Sequence, residues 1–485
     1  MSHKITQGLL LLLLFTTHIG FTSPAATAQT TKKTRKTICT SQLTTAVDAV
    51  VNRPLFNRVR WGILVKNQDS NQTLYIRNAQ KYFVPASNTK LLTTAAALQA
   101  LEPNFRIRTS VYQDGEGILR VVGRGDPSLK DAQLESLAKQ LRQKGIRQIK
   151  KLIADDSYSQ GDIIHPSWMW EDVQYYYGAP VNSLILNENA SILRIYPQTL
   201  GKPLKVKWDQ PTEAYRWRVE NNSVTIAQGE SSFVEVTRDL KGPILRINGQ
   251  LGVGSRPDIT AIAVFDPIEH FMRHFRIHLA REGISVARTF TAVGSRNERE
   301  LAAVESPPLS KLLLETNINS NNLFAEALLR ALASKSTQKN QQNVANVGLK
   351  ILQTTLNQLG VNPQSYQIVD GSGLSRKNLI SPEALVQTLQ GMAKSPQTEV
   401  FRASLPIAGV SGTLRNRMKN TPATGIVRAK TGTLTGVVTL SGYANPPQYD
   451  PITFSIMVNQ TGQPSSVMRK AVDEIVVMLA QLKSC

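Results

Sequence analysis

Apolar and polar positions along the chain predict helical segments around a region that is rich in strands. Residues 40–52 have helical spacing, and the following "RWGILVKNQDSNQTLYIRN" has two apolar-rich runs around an Asp-Ser-Asn turn, which is typical of a β-hairpin. An alanine- and leucine-rich run that begins near Ser87 predicts a helix. Short strands become frequent soon after Leu101, and their density in residues 191–262 predicts a small all-β unit.

Helical spacing returns in residues 266–283, 308–334 and 343–359, and the pattern then ends in two strands and a helix. Strands therefore occur on both sides of a helical region. We predict an α/β (α+β) fold in which segments from both ends of the chain complete one sheet and an insertion interrupts it. A length of 485 residues is enough for about two to four domains.

The first residues have the pattern of an export signal. Lys4 precedes the apolar run "GLLLLLLF", and Ala26-Thr27-Ala28 offers a small-residue cleavage site. We predict a signal peptide over residues 1–28 and secretion across the cytoplasmic membrane to the periplasm or cell envelope. An uncleaved membrane anchor is the alternative, but the apolar run is far shorter than the ~20 residues that span a bilayer.

The two cysteines, Cys39 and Cys485, leave two possibilities open. An oxidising compartment would permit a disulfide between them, and two exposed thiols are the alternative.

A formal net charge of +21 indicates that the protein contacts an anionic surface. Export and the lack of a basic-aromatic binding motif argue against nucleic acid, so the cell wall or an anionic membrane fits better. The segment "TKKTRKT" is expected to be a solvated arm.

The head of the alanine-rich helix carries a candidate nucleophile. Ser87 and Lys90 are three residues apart, which places them on one face if the helix begins near Ser87. A serine becomes a nucleophile only when a base takes its proton, and Lys90 could do so. This spacing alone is weak evidence, because a serine at a helix start is more often only a cap.

Two further motifs strengthen the interpretation. Ser320-Asn321-Asn322 stands at the head of a predicted helix, and Lys430-Thr431-Gly432 stands on a predicted strand. The first offers a hydroxyl and an amide, and the second offers a cation and a hydroxyl for a substrate carboxylate. These motifs, in this order after Ser-x-x-Lys, match the signature of penicillin-binding proteins and class A β-lactamases.

The spacing between the motifs narrows the choice. Ser320 lies 233 residues after Ser87, which is too far for a compact β-lactamase. The chain resembles the class C low-molecular-mass penicillin-binding proteins, the D-alanyl-D-alanine carboxypeptidase/endopeptidase family, and "YGAPVNSLILNEN", "DGSGLSR" and "PIAGVSGTLRNRM" add to that resemblance. Asn321 departs from the aspartate that is frequent in the related signature.

The resemblance implies a transpeptidase-like fold, similar to β-lactamases, with an antiparallel sheet flanked by helices and two nested accessory domains. The expected bounds are 40–103 and 300–485 for the catalytic domain, 104–190 and 263–299 for accessory domain II, and 191–262 for accessory domain III, which is mostly β.

The resemblance also implies a reaction. A serine-type D-Ala-D-Ala carboxypeptidase and DD-endopeptidase would act on peptidoglycan stem peptides through an acyl-enzyme, and β-lactam antibiotics would inhibit it covalently. Ser87 would be the nucleophile, Lys90 the neutral base and Ser320 a proton relay. The substrate would be held by Asn322, Lys430, Thr431, Gly432 and Thr433, with Lys430 charged.

Two other functions remain open on the sequence. One is a β-lactamase or esterase on the same scaffold, and the other is a catalytically silent protein that binds the cell wall. No cofactor is expected.

Three histidines repeat at every fourth position, at His270, His274 and His278, and therefore line one helix face. Such a face could bind zinc, but no sequence motif supplies an acidic ligand or a catalytic glutamate. We therefore predict a packing or surface face and no metal site. The same lack of a partner argues against a histidine-based triad.

Overall fold

The structure, a computed structural model, describes residues 37–239, 242–292, 299–336 and 343–485. The predicted signal peptide and nearly all of the basic arm lie outside these residues. Within the described ranges, no helix combines the length and the apolar character needed to cross a membrane.

The described residues form helices with the following bounds: α1 (Thr40–Val51), α2 (Thr89–Leu101), α3 (Asp131–Gln143), α4 (Pro267–Arg281), α5 (Leu309–Ile318), α6 (Asn322–Ala331), α7 (Val344–Gln358), α8 (Pro382–Lys394), α9 (Thr398–Ala403) and α10 (Ser465–Leu479).

The strands of the first half of the chain are β1 (Ile38–Cys39), β2 (Arg60–Asn67), β3 (Thr73–Arg77), β4 (Arg108–Gln113), β5 (Ile118–Val122), β6 (Gln148–Asp155), β7 (Ala190–Tyr196), β8 (Lys205–Trp208), β9 (Arg218–Asn221), β10 (Val224–Ile226) and β11 (Phe233–Arg238). The later strands are β12 (Ile244–Gly252), β13 (Asp258–Ala263), β14 (Ser285–Thr291), β15 (Arg299–Glu305), β16 (Tyr366–Gln367), β17 (Leu379–Ile380), β18 (Val427–Leu434), β19 (Val437–Ala444), β20 (Ile452–Asn459) and β21 (Leu482–Lys483).

The sheet that positions the site has the order β18-β19-β20-β2-β3, and all of its neighbours are antiparallel. β2 pairs with β20 along its whole length, with Ile63 opposite Ile456. Because β2 and β20 come from opposite ends of the sequence, the predicted completion of one sheet by both ends is confirmed.

Helices cover both faces of this sheet. One apolar core includes residues of α2, α5, α6, α7 and α8, and a second joins α1 and α10 to the other face. β19 and β20 are buried along their entire length, as expected for strands with helices on both sides. The packing therefore has three layers, with the sheet in the middle.

Helix α2 lies at the centre of the first core. Its residues from Thr89 to Leu98 are all buried, and its small alanine side chains let neighbouring helices pack against every side of it. A helix that is apolar all round is a buried helix. This burial fixes the position of the turn that precedes α2, where Ser87 lies.

The inserted region contains three further sheets. A mixed sheet of order β14-β6-β5-β4-β15 packs against α3 and α4, and two smaller sheets, β13-β7-β8 and β10-β12-β11 with β9, share an apolar core. β15 pairs with β4 and crosses the expected boundary at residue 300. The domain bounds stay a prediction.

The two ends of the described chain meet. β1 pairs with β21 in parallel, and Cys39 forms a disulfide with Cys485 across a Cα–Cα distance of 5.6 Å. Of the two possibilities that the sequence left open, the structure therefore has the disulfide.

One predicted helical stretch is broken in the structure. Helical spacing extends over residues 308–334, and the structure divides this stretch into α5, which ends at Ile318, and α6, which begins at Asn322 in the motif that was predicted to head a helix. Ser320, between them, has φ +59°, a left-handed conformation that a residue with a Cβ adopts rarely and that interrupts the helix. Such backbone strain is frequent at functional sites.

Candidate active site

Ser87 lies in a single 3-10 turn, Ala86–Asn88, directly before α2. The preceding Ala86 has φ +48°, so the turn is locally strained. Strand β18 passes close to this turn because it has glycine at position 432. A Cβ on Gly432 would lie 2.2 Å from Thr439 Oγ1 and 2.8 Å from the carbonyl oxygen of Pro85, so no other residue fits without a shift.

Lys90 lies one turn into the helix, and its side-chain nitrogen points back at the serine. Its Nζ is 3.0 Å from Ser87 Oγ, 2.6 Å from Asn322 Oδ1 and 2.7 Å from the carbonyl oxygen of Ser372. The Lys90 side chain is completely buried. The structure therefore brings the predicted nucleophile and base within hydrogen-bond distance.

Lys430 is a second buried lysine at the same cleft. Its Nζ donates to Ser320 Oγ at 2.8 Å and to the carbonyl oxygen of Thr431 at 3.0 Å. The left-handed backbone at Ser320 turns this hydroxyl toward Lys430. In the described residues no hydrogen bond joins Ser320 to Lys90, so the predicted proton relay, Ser320, is hydrogen-bonded to Lys430 and not to the predicted base.

The two asparagines of the Ser-Asn-Asn motif have different contacts. Asn322 accepts from Lys90 and donates through Nδ2 to the carbonyl oxygen of Tyr177 at 2.8 Å. Asn321 caps α6 by accepting from the backbone N–H of Phe324, and its Nδ2 donates to Glu188. Asn321, which stands where the family signature often has aspartate, therefore bonds to Glu188 and to the backbone of α6 rather than to Lys90 or Lys430.

Strand β18 forms one wall of the cleft. Thr431 is buried, and its hydroxyl is 2.8 Å from that of Thr413. Thr433 is exposed and lines a cleft of about 900 Å³ together with Ser87, Ser320 and Asn322. Of the two threonines predicted to contact substrate, Thr433 is the one whose side chain faces open space.

Burial controls the protonation of both lysines. It lowers the pKa of Lys90 to about 7, although the carboxylates of Asp370 and Glu326 act in the opposite direction. Burial also lowers the pKa of Lys430 well below its usual value, and Lys90 lowers it further. The neutrality expected of Lys90 is thus supported, whereas the charge expected of Lys430 is opposed by its surroundings unless an anion binds beside it.

Comparison with known proteins assigns the family. The model of the D-Ala-D-Ala carboxypeptidase 3 (S13) family matches residues 43–482. The chain belongs to this S13 family. The predicted family, and with it the predicted class of serine peptidase, are confirmed.

Individual relatives align with this chain over most of their length. A D-alanyl-D-alanine carboxypeptidase of Actinomadura sp. is 30% identical over 465 residues, covering 91% of this chain and 85% of the relative. The crystal structure of penicillin-binding protein 4 from Haemophilus influenzae matches with a TM-score of 0.78 at 24% identity, over 90% of this chain and 99% of that one. The same protein complexed with a β-lactam matches with a TM-score of 0.72. The predicted fold class is confirmed.

The sequence prediction missed the residues that support Lys90. They belong to the "DGSGLSR" loop and to α6. The "DGSGLSR" loop was not assigned a role, yet the carbonyl oxygen of its Ser372 accepts from Lys90. Buried Glu326 accepts from the backbone N–H groups of Gly371 and Ser372 at 2.9 and 2.8 Å. Asp370, also buried, accepts from Trp168 Nε1 at 2.9 Å. The glutamate within the apolar run "NLFAEALLR" was the available signal that an acid is buried there, although it does not indicate which groups the acid contacts.

The histidine face of α4 differs from its sequence interpretation. His270, His274 and His278 are buried, as a packing face requires, but they meet acidic residues that come from elsewhere in the chain. His274 Nδ1 and His278 Nε2 lie 2.8 and 2.9 Å from Asp131 Oδ1, and Glu213 Oε1 lies 3.7 Å from His270 Nδ1 and 3.6 Å from His274 Nε2. Sequence motifs around the histidines could not supply these acidic partners, because Asp131 and Glu213 are remote from them in sequence.

Proposed function

We propose that this S13 peptidase is an exported serine DD-carboxypeptidase and DD-endopeptidase that cleaves peptidoglycan stem peptides through an acyl-enzyme on Ser87. The observation that carries the proposal is the pair formed by Ser87 and Lys90. A buried lysine with a pKa of about 7, 3.0 Å from a serine hydroxyl, can accept a proton near neutral pH. An exposed lysine could not, because it titrates near ~10.4.

Acylation begins with two linked transfers at Ser87. Its proton passes to Lys90 Nζ while Oγ bonds to the carbonyl carbon of the penultimate D-alanine. The developing oxyanion would be held by the backbone N–H groups of Ser87 and Thr433, each donor of this kind contributing roughly 3–4 kcal/mol in other acyl-transfer enzymes.

The leaving amine needs a proton as the C–N bond breaks. Ser320 is the proposed donor because its hydroxyl accepts from Lys430 Nζ and can regain a proton from it. The acyl-enzyme is then hydrolysed by water, which supplies the hydroxyl of the released acid. A β-lactam would acylate Ser87 by the same attack, with its ring amide in place of the peptide bond.

Lys430 and the wall of β18 would hold the terminal carboxylate of the substrate. Next to that anion the protonated form of Lys430 is favoured, which would restore the charge that burial opposes. Thr433 is the hydroxyl best placed to donate to the carboxylate because it faces the cleft. Gly432 keeps the strand close to the Ser87 turn, and Thr431 supports Thr413 beside it.

The deciding experiment compares the wild type with Ser87→Ala on two readouts. D-alanine release from a pentapeptide and the mass of a penicillin adduct are both expected to disappear in the variant, with activity falling by roughly 10⁴-fold or more. Ser136→Ala, a serine of α3, is the matched control and should retain both.

Three results would overturn parts of the proposal. D-alanine release at the wild-type rate by Ser87→Ala would exclude Ser87 as the nucleophile. A wild-type protein that penicillin does not label would favour a catalytically silent protein that binds the cell wall. Rapid release of the penicillin adduct would favour a β-lactamase. Defined cross-linked and uncross-linked muropeptides then separate endopeptidase from carboxypeptidase activity.

A further inference from the structure

The histidine face of α4 lies against two other segments of the chain. His270, His274 and His278 have exposed fractions of 1%, 4% and 5%. Asp131 is the first residue of α3, and Glu213 lies in a short 3-10 turn of the β-rich insertion. The cluster therefore joins three elements that are far apart in sequence.

The hydrogen bond between His274 and Asp131 fixes the tautomer of the ring. A carboxylate only accepts, so His274 Nδ1 carries the hydrogen at the 2.8 Å contact. The Nε2 lone pair then faces Glu213 Oε1 at 3.6 Å, and within the described part of the chain Nε2 has no hydrogen-bond partner. Two acceptor atoms that face each other in a buried site favour a cation between them.

We propose that Glu213, His270 and His274 form a binding site for a divalent transition-metal ion, with zinc as the preferred ion. One donor atom from each residue lies within 4.8 Å of the other two. The separations of 3.6 and 3.7 Å from Glu213 Oε1 to the two imidazole nitrogens are close to the roughly 3.3 Å edge of a tetrahedron with metal–ligand bonds of ~2.0–2.1 Å. A small movement of side chains completes the geometry.

The surroundings have two features typical of zinc sites. Asp131 accepts from the nitrogen of His274 that faces away from the metal position, which is the usual arrangement of a carboxylate behind a metal-bound histidine. Glu213 and His270 also line a cavity of about 330 Å³, which gives the ion an entry path and leaves room for a water as fourth ligand.

Arg273 is the competing cation at this position. Its Nη2 donates to Glu213 Oε1 at 2.6 Å and lies 3.3 Å from His270 Nδ1. Its Nε is also 3.4 Å from Glu269 Oε1, so the guanidinium has a second carboxylate to turn toward when a metal binds. The bound ion would hold the turn at residues 211–216 of the β-rich insertion to α4, which is a structural role.

The test uses the full secreted chain after treatment with a chelator. Zinc is added and measured by elemental analysis and by titration calorimetry, and cobalt is added as a spectroscopic probe of tetrahedral coordination. We expect one equivalent per chain and a tetrahedral cobalt spectrum. His274→Gln and Glu213→Gln should lose that equivalent, and Arg273→Gln should bind zinc at least as tightly as the wild type.

His278→Gln is the matched control, since it removes a histidine of the same face whose one side-chain hydrogen bond within the described residues is to Asp131. This variant should still bind one equivalent of zinc per chain. Asp131→Asn keeps all three ligands and should bind about 10–100-fold more weakly, which tests the site even if a ligand variant fails to fold. A wild type that binds no stoichiometric zinc, or unchanged binding in His274→Gln, would overturn the proposal.

Discussion

Two buried polar clusters, the lysine pair of the cleft and the histidine face of α4, differ in the charge of the groups that surround their basic side chains. Lys90 contacts a hydroxyl, an amide oxygen and a carbonyl oxygen, all of them uncharged, and burial lowers its pKa to about 7. His274 is also buried, which by itself would lower its pKa, but the hydrogen bond to Asp131 and the nearby carboxylate of Glu213 raise the pKa above its usual value.

The difference shows how one protein produces a reactive base and a stabilising contact from buried basic groups. A buried cation whose hydrogen-bond partners are neutral gives up its proton readily, whereas carboxylates favour positive charge beside them, supplied either by a proton on the imidazole or by a bound metal ion. The lysine pair is therefore suited to proton transfer, and the histidine cluster to holding segments together. Substitutions in the first should affect rate, and substitutions in the second should affect stability.

The largest effect is expected at Lys90. Lys90→Met removes the proposed base and should reduce kcat/KM for D-alanine release by roughly 10²–10⁴-fold, the usual contribution of general base catalysis, with little change in the thermal midpoint. Lys90→Arg keeps a cation but cannot deprotonate, so it should be equally inactive. Activity restored by arginine would show that Lys90 acts through its charge.

Substitution of Glu213 should reduce the stability of the protein and not its activity. In the presence of a chelator, Glu213→Gln should lower the free energy of unfolding by about 3–5 kcal/mol, because it leaves Arg273 without its closest ionised partner in a buried site. Denaturant and thermal unfolding measure this change. D-alanine release by the folded variant should stay at the wild-type rate, and a stability equal to that of the wild type would contradict the assigned role.

The pH dependence of the reaction should follow Lys90. Since its folded pKa is about 7 and its neutral form is the base, kcat/KM should rise through pH 7 and fall about tenfold per pH unit below it. The measurement is kcat/KM for D-alanine release between about pH 5 and 9. Circular dichroism over the same range is the control for unfolding, and a flat profile would exclude Lys90 as the titrating base.

The smallest effect is expected for an exposed ion pair of the same insertion as Glu213. Arg194 and Asp209 are 2.6 Å apart, but both are partly open to water. Exposed pairs of this kind contribute little to stability because water and salt screen them. Arg194→Gln should leave the thermal midpoint unchanged. A large decrease in the midpoint would show that the effect expected for Glu213 does not depend on its burial.

The sequence could predict contacts that follow from local spacing. Ser87 and Lys90 are one helical turn apart, so a helix near Ser87 was sufficient to bring them together. The three motifs in order predicted that Ser320 and Lys430 belong to the same cleft. The strand period likewise predicted the central strands, because alternation and apolar runs are local signals.

Contacts between remote segments could not be predicted in this way. Nothing near Glu326 in sequence indicates that it holds Gly371 and Ser372, and Asp131 lies 143 residues before His274. The left-handed backbone at Ser320 could not be predicted either, because a motif at a helix head does not indicate the sign of φ at a residue before the helix.

The strand order β18-β19-β20-β2-β3 has a consequence for the timing of synthesis. The ribosome makes β2, β3, Ser87 and α2 early, but β18, β19 and β20, which complete the sheet and include the cleft wall β18, are among the last segments to be made. A chain that lacks them carries the nucleophile without the sheet that positions it, whereas the inserted sheets are already complete in sequence. Premature termination before β18 should therefore yield a protein with an assembled insertion and no working cleft.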